Sequence, residues 1–168
     1  MNKPNKLIIG MLSLAIVTLV SFGFKKASAP AQVSFKCLVQ LTNYSGEGAY
    51  VAVSLLDNKG KYKKTLQVFG KEKRWYDDLP SWFKFITSTK ENVDGVSGAS
   101  ITAGSRKVFS ITTDDTVFDK GYKLRFETAV ENQEYKEKDV EMDFSEANVG
   151  KTINGTGYIR YVKLIKNP

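Results

Sequence analysis

The chain has 168 residues, 42% hydrophobic and 26% charged, with a formal net charge of +7, no histidine and one cysteine. That suffices for one globular domain plus an export signal. It excludes a Ser-His-Asp triad, a Cys-His dyad, histidine-ligated zinc or haem, an intramolecular disulfide and a C-x-x-C redox pair, so any redox chemistry has to come from an added cofactor.

The charge is uneven. Lys3, Lys6, Lys25 and Lys26 lie in the first 31 residues, which contain no acid, so residues 32–168 carry +7 − 4 = +3. A mild excess spread over many strands is not a nucleic-acid patch. Met1 to Lys6 is basic, Leu7 to Phe24 is an apolar run, and Ala29-Pro30-Ala31 fits a small-x-small cleavage site before Gln32. This three-part layout predicts a signal peptide over 1–31 and an exported domain over 32–168. The apolar run is also just long enough to span a bilayer, so a retained N-terminal anchor is the alternative. Either reading places the domain in the periplasm or cell envelope.

Val33, Phe35, Cys37, Val39 and Leu41 alternate with mostly polar residues and predict a strand with one buried side. Cys37 sits within the apolar row and reads as a core thiol of high pKa. Ala49 to Leu56 is apolar on both faces, which suits a central strand. Asp57-Asn58-Lys59-Gly60 turns the chain into a returning strand, Lys61 to Phe69.

Leu79, Trp82, Phe83 and Ile86 recur at helical spacing and predict a short helix over about Leu79 to Thr87, capped by Asp77 or Asp78. Next comes Asp94-Gly95-Val96-Ser97-Gly98-Ala99-Ser100, too small to build a core. It can form a loop that passes through φ > 0 and that another molecule can approach closely. The alternative is a plain turn. Further strands follow at Lys107 to Thr113, Gly121 to Glu131, Tyr135 to Phe144 and Tyr158 to Ile165. In the third of these, Glu137, Asp139, Glu141 and Asp143 read as a solvated acidic face. In the second, Arg125 and Glu127 face away from Leu124 and Phe126. The last is apolar on both faces. About seven strands with short turns and one helix predict a mainly β protein, an antiparallel immunoglobulin-like β-sandwich.

The Asp94–Ser100 stretch, D-x-x-S-G-A-S, resembles the flavinylation motif D-x-x-[ST]-G-A-[ST] of exported FMN-carrying proteins, whose last hydroxyl bears FMN through a phosphoester. The matching acceptor is Ser100, where threonine is usual. The order of elements also resembles a family of predicted periplasmic proteins, the domain of unknown function 2271. It runs from Tyr50-Val51-Ala52-Val53 and the Asp57–Lys61 hairpin through Thr65-Leu66 and the Trp-rich helix. Asp94–Ser100 and Gly121-Tyr122-Lys123-Leu124 complete it.

The resemblance implies a covalent FMN carrier in extracytoplasmic electron transfer, not a stand-alone enzyme. It implies a flavin transferase as partner and a PepSY-type membrane redox protein as a further one. Gly95 and Gly98 would let the loop enter the transferase, Ala99 would leave room beside the acceptor, and Ser97 would shape the loop. Asp94 would fix the loop by a side-chain bond to nearby backbone amides or help to position the transferase's metal. Trp75, Tyr76 and Trp82 are the aromatic residues nearest along the chain for the flavin ring. Trp82 also fits the core-facing side of the helix. The competing reading of the whole chain is a non-catalytic β-sandwich that binds a partner at the cell envelope.

Overall fold

The computed structural model describes residues 30–168; the expected leader lies outside them. Alternating sequence becomes strand throughout. Nine strands form two sheets: β1 (Gln32–Leu41), β2 (Tyr50–Leu56), β3 (Tyr62–Phe69), β4 (Ser97–Gly98), β5 (Arg106–Asp114), β6 (Lys123–Ala129), β7 (Lys136–Asp143), β8 (Thr152–Asn154) and β9 (Ile159–Lys166). The four-stranded sheet runs β5-β1-β9-β8 and the five-stranded sheet β4-β3-β2-β6-β7. All pairings between these strands are antiparallel except β3 with β4. The fold is therefore the expected mainly β sandwich, and β2 holds the central place that its two apolar faces predict.

The sandwich core comes from the alternating rows. Phe35, Cys37, Val39 and Leu41 of β1 meet Val51 and Val53 of β2 and Leu124 and Phe126 of β6, and all eight are buried. Cys37 is fully buried, and burial pushes its thiol pKa up. The second face of the five-stranded sheet is also covered. Helix α1 (Pro80–Thr89) and a 3-10 turn at Lys73–Asp78 lay Tyr76, Leu79, Trp82 and Ile86 over Ala52 and Val68.

This extra layer corrects one expectation. Arg125 and Glu127 face away from the sandwich core, as their parity requires, but both are buried, Glu127 under α1 and Arg125 against the Tyr62 ring. Arg125 is held by Glu141 at 2.7 Å and Glu137 at 3.1 Å. A second correction concerns β7. Its register against β6 shifts between Phe126 and Thr128, which turns Asp139 inward beside Val140. Asp139 is 1% exposed and belongs to no solvated face. Its carboxylate accepts from Thr128 Oγ1 and from the amides of Thr156, Gly157 and Ile159. In β9 only one face is buried, and Ile165 is exposed.

Helix α1 begins and ends close to its predicted bounds, but neither Asp77 nor Asp78 caps it. Leu79 occupies the N-cap without a side-chain bond, and Pro80 supplies the first helical residue. At the other end Lys90 takes a left-handed conformation, φ 55°, and closes the helix with bonds to Ile86 O and Thr87 O.

Candidate functional site

The Asp94–Ser100 stretch is not a free loop. Residues Asp94–Val96 make one 3-10 turn, and Ser97–Gly98 forms β4, which pairs in parallel with Val68 and Phe69 at the edge of β3. Gly70 N–H donates to Gly98 O at 2.7 Å. None of residues 94–100 is buried, whereas the flanking Val93 and Ile101 are, at 4% and 0% exposure. Ile101 is fixed by two bonds to Ala49, N–H to O in both directions, and Tyr44 Oη bridges the same pair.

The glycine expectation needs correcting. Neither Gly95 nor Gly98 has positive φ, and a Cβ at either would meet nothing closer than 3.9 Å. The close approaches belong to Gly48 and Gly70. A Cβ on Gly48 would lie 2.6 Å from Ser100 Oγ, and one on Gly70, at φ +146°, would overlap the Tyr50 ring. The role expected of Asp94 also shifts to other residues. Its own amide donates to Asn92 Oδ1 at 2.9 Å, so Asn92 makes the side-chain-to-backbone turn. The Asp94 carboxylate pairs instead with Lys73 Nζ at 2.5 Å, both groups being well exposed. Salt screens such a pair, so it holds the stretch only weakly and can be reversed by a change of charge. Ser97 Oγ donates to Asp94 O at 3.2 Å and closes the turn.

Ser100 lies half-buried in a cleft of about 270 Å³ with Glu47, Gly48, Tyr50, Glu72, Arg74, Trp75, Asp78 and Glu131. Asp94 and Ser100, the two ends of the motif, border different cavities. Trp75 is 37% exposed, and the Arg74 guanidinium stands 5.0 Å above its ring while pairing with Glu72 at 2.6 Å. Four carboxylates against one guanidinium leave the rim acidic. Burial, reinforced by neighbouring Asp77, raises the Asp78 pKa, and burial raises that of Tyr50. Among the described residues no group of three or more Cys, Asp or Glu side chains could hold a metal ion.

Of the aromatic residues singled out in the sequence, only Trp75 reaches this cleft. Trp82 takes the core position its helical spacing also allows. It is fully buried, and its Nε1 donates to Thr65 Oγ1 at 3.0 Å. Tyr76 is 2% exposed and packs edge-on against Trp82, with ring centroids 4.9 Å apart.

Tyr50, Gly48, Glu72 and Arg74 were not singled out by sequence as cleft residues. They are scattered along the chain, and what brings them to Ser100 is the Ala49–Ile101 bridge together with the turn after Gly70. No local spacing encodes that meeting.

Together these features define a β-sandwich in which a half-buried serine, an open tryptophan and an acidic rim share one cleft. Residues 32–161 match the family of predicted periplasmic proteins DUF2271, and the chain belongs to that family. No curated relative and no solved structure matches the chain. Among the described residues, no helix is long and apolar enough to cross a membrane.

Proposed function

We propose that Ser100 carries FMN as a phosphoester and that the protein is an exported electron carrier. The observation that supports this most directly is the shared cleft of Ser100, Trp75 and Arg74. A hydroxyl, an aromatic face and a cation are groups that an esterified flavin nucleotide can use, while the four carboxylates of the rim oppose its phosphate charge and leave Arg74 as the one lining group that offsets it. Ser100 supplies the ester oxygen. Arg74, now paired with Glu72, is the cation available to the phosphate's remaining charge. Trp75 and Tyr50 offer apolar surface to the ring. The cleft volume of about 270 Å³ lies just below the roughly 300–1,000 Å³ of pockets that enclose a whole ligand, so it suits part of the group. When bound, the flavin supplies one- and two-electron chemistry that no side chain of this chain has.

In the attachment step the Ser100 oxygen bonds to the phosphorus of the FMN half of FAD. The pyrophosphate bond on that phosphorus breaks, AMP leaves, and the hydroxyl proton passes to a base of the flavin transferase. Export favours this link, because a dissociable flavin is lost outside the cytoplasm. A PepSY-type membrane redox protein is the proposed electron partner.

The test is co-expression with a flavin transferase from the native host, followed by intact mass and in-gel fluorescence of the denatured protein. The wild type gains one FMN less water and fluoresces. Ser100→Ala does neither, and Ser100→Thr does both. Wild-type protein that is never labelled would return Asp94–Ser100 to a plain turn and leave the envelope binding module as the reading.

A further inference from the structure

In the fold Ser100 is half-buried in its cleft, which restricts its reach into another protein's active site. Its hydroxyl lies against Gly48, and the hydrogen-bonded residues Gly98 and Ile101 stand two positions before it and one after. A transferase, however, has to bring this oxygen into line with the pyrophosphate of a bound dinucleotide. The two ends of the stretch are unlike its middle. Val93 is packed with Trp82 and Tyr76 in the layer beneath α1, and neighbouring Glu91 accepts from Thr65 N–H at 3.0 Å and from Thr65 Oγ1 at 2.6 Å. Ile101 is clamped to Ala49 in the sandwich core. The seven residues between bury no side chain. They are held by a two-residue parallel pairing, the Gly70–Gly98 bond, the half-buried Val96 against the layer beneath α1 and an exposed ion pair.

We propose that Asp94–Ser100 is a strap that leaves the edge of β3 to present Ser100 to the transferase, with Val93 and Ile101 as fixed anchors. This rests on Ser100 being the flavin acceptor. Lifting the strap withdraws one half-buried apolar side chain, Val96, from the layer beneath α1 and opens no fully buried one, which places it toward the low-stability end of the local openings a domain undergoes. At about 3.4 Å per residue, seven residues folded out and back reach up to roughly 12 Å beyond the surface. Bulky residues would slow both passage and return, and this stretch has only one, Val96. Glycines without positive φ also fit this use, because their freedom is needed in the lifted state and not in the docked one. Once modified, the strap returns to β3 and lays the nucleotide along the cleft that Trp75 lines.

The test reads the Gly70 amide, whose partner in the docked state is Gly98 O. Hydrogen exchange is followed on the full chain in detergent, alone and with the host transferase without FAD. The strap predicts that Gly70 exchanges at least about tenfold faster in the complex, while Ala49 and Ile101 stay protected. A Gly70 amide as protected in the complex as in the free chain overturns the proposal. Lys73→Glu gives a second measurement, since it replaces an attraction to Asp94 by a repulsion outside the motif. It should speed Gly70 exchange in the free chain and, at limiting transferase, FMN attachment by the same factor. Faster exchange without faster attachment overturns the strap and leaves the flavin reading standing. Absence of attachment to the wild type removes the flavin reading itself, and the strap with it.

Discussion

The carboxylate of Glu127, on β6, accepts the backbone N–H of Trp82, in the first turn of α1, at 3.2 Å. The helix has no capping side chain of its own, so a buried acid from the sheet beneath does the work of an N-cap. The same carboxylate accepts from Tyr62 Oη at 2.6 Å and from Tyr135 Oη. One residue thus ties the helix that covers the sheet to β3, β6 and the chain entering β7. Because the Lys73–Asp78 turn runs directly into α1, it also steadies the segment that bears Arg74 and Trp75.

Replacing Glu127 by alanine leaves three donors unpaired under the helix and should cost about 3 kcal/mol in denaturant unfolding. Glu127→Gln tests the charge. Burial raises the Glu127 pKa, outweighing the donors from Tyr135, Tyr62 and Trp82 and the nearby Arg125 charge. A carboxyl whose folded pKa lies above its unfolded value stabilises fully only below that unfolded value, about 4.3 for Glu, and loses the contribution as pH rises through the folded pKa. The melting temperature of Glu127→Gln should therefore gain on that of the wild type from pH 4 upward. A difference between the two that stays constant across that range would contradict the assignment.

Ser54 Oγ is fully buried on β2 with no hydrogen-bond partner among the described residues. Such a hydroxyl is a standing desolvation cost. Ser54→Ala should raise the unfolding free energy by about 1 kcal/mol in urea titration. An equal loss would mean that the hydroxyl is satisfied in solution.

Much of this architecture was legible in the alternation of β1, β2 and β6, because strand parity fixes which residues meet in the core. What parity cannot say is whether the other face meets water or a helix. Arg125 and Glu127 looked like an outer face for that reason. Asp139 was misread for a related reason, since a register shift is set by pairing with β6 and leaves no mark in the spacing of β7. The cleft divides the same way. Ser100 and Trp75 were legible as residue types. Gly48, Tyr50 and Arg74 were not, because only long-range pairing brings them to Ser100.

Asp139 should prove indispensable to the turn before β9. Its two oxygens take one hydroxyl and three amide donors, and Gly155 and Gly157 leave the space for that wrapping. Asparagine keeps the shape but presents an NH₂ to groups that also donate. Asp139→Asn should lose about 3 kcal/mol of stability and deprotect the amides of Thr156 and Gly157 in hydrogen exchange. Protection of those amides at wild-type levels would mean that the turn holds itself.

Gly48 and Ser100 should behave as one unit. Gly48 is not in the left-handed region, so alanine there strains no backbone and the effect reports packing alone. Its Cβ would fall 2.6 Å from Ser100 Oγ and 3.1 Å from Ser100 Cβ. Gly48→Ala should then cost about 1–2 kcal/mol, as overpacking does. Removing the hydroxyl first, with Ser100→Ala, takes away the nearer obstacle and leaves the milder one. The double variant should be more stable than the sum of the single effects predicts, by at least about 0.5 kcal/mol. Additive effects in urea unfolding would show that the Ser100 hydroxyl points elsewhere in solution. In the single variant the side chain that yields is Ser100, which has open cleft on its other side, so its hydroxyl turns toward Trp75. The expected readout is altered Trp75 fluorescence in Gly48→Ala that Ser100→Ala suppresses. Trp82, sealed in the core, serves as the unchanged background.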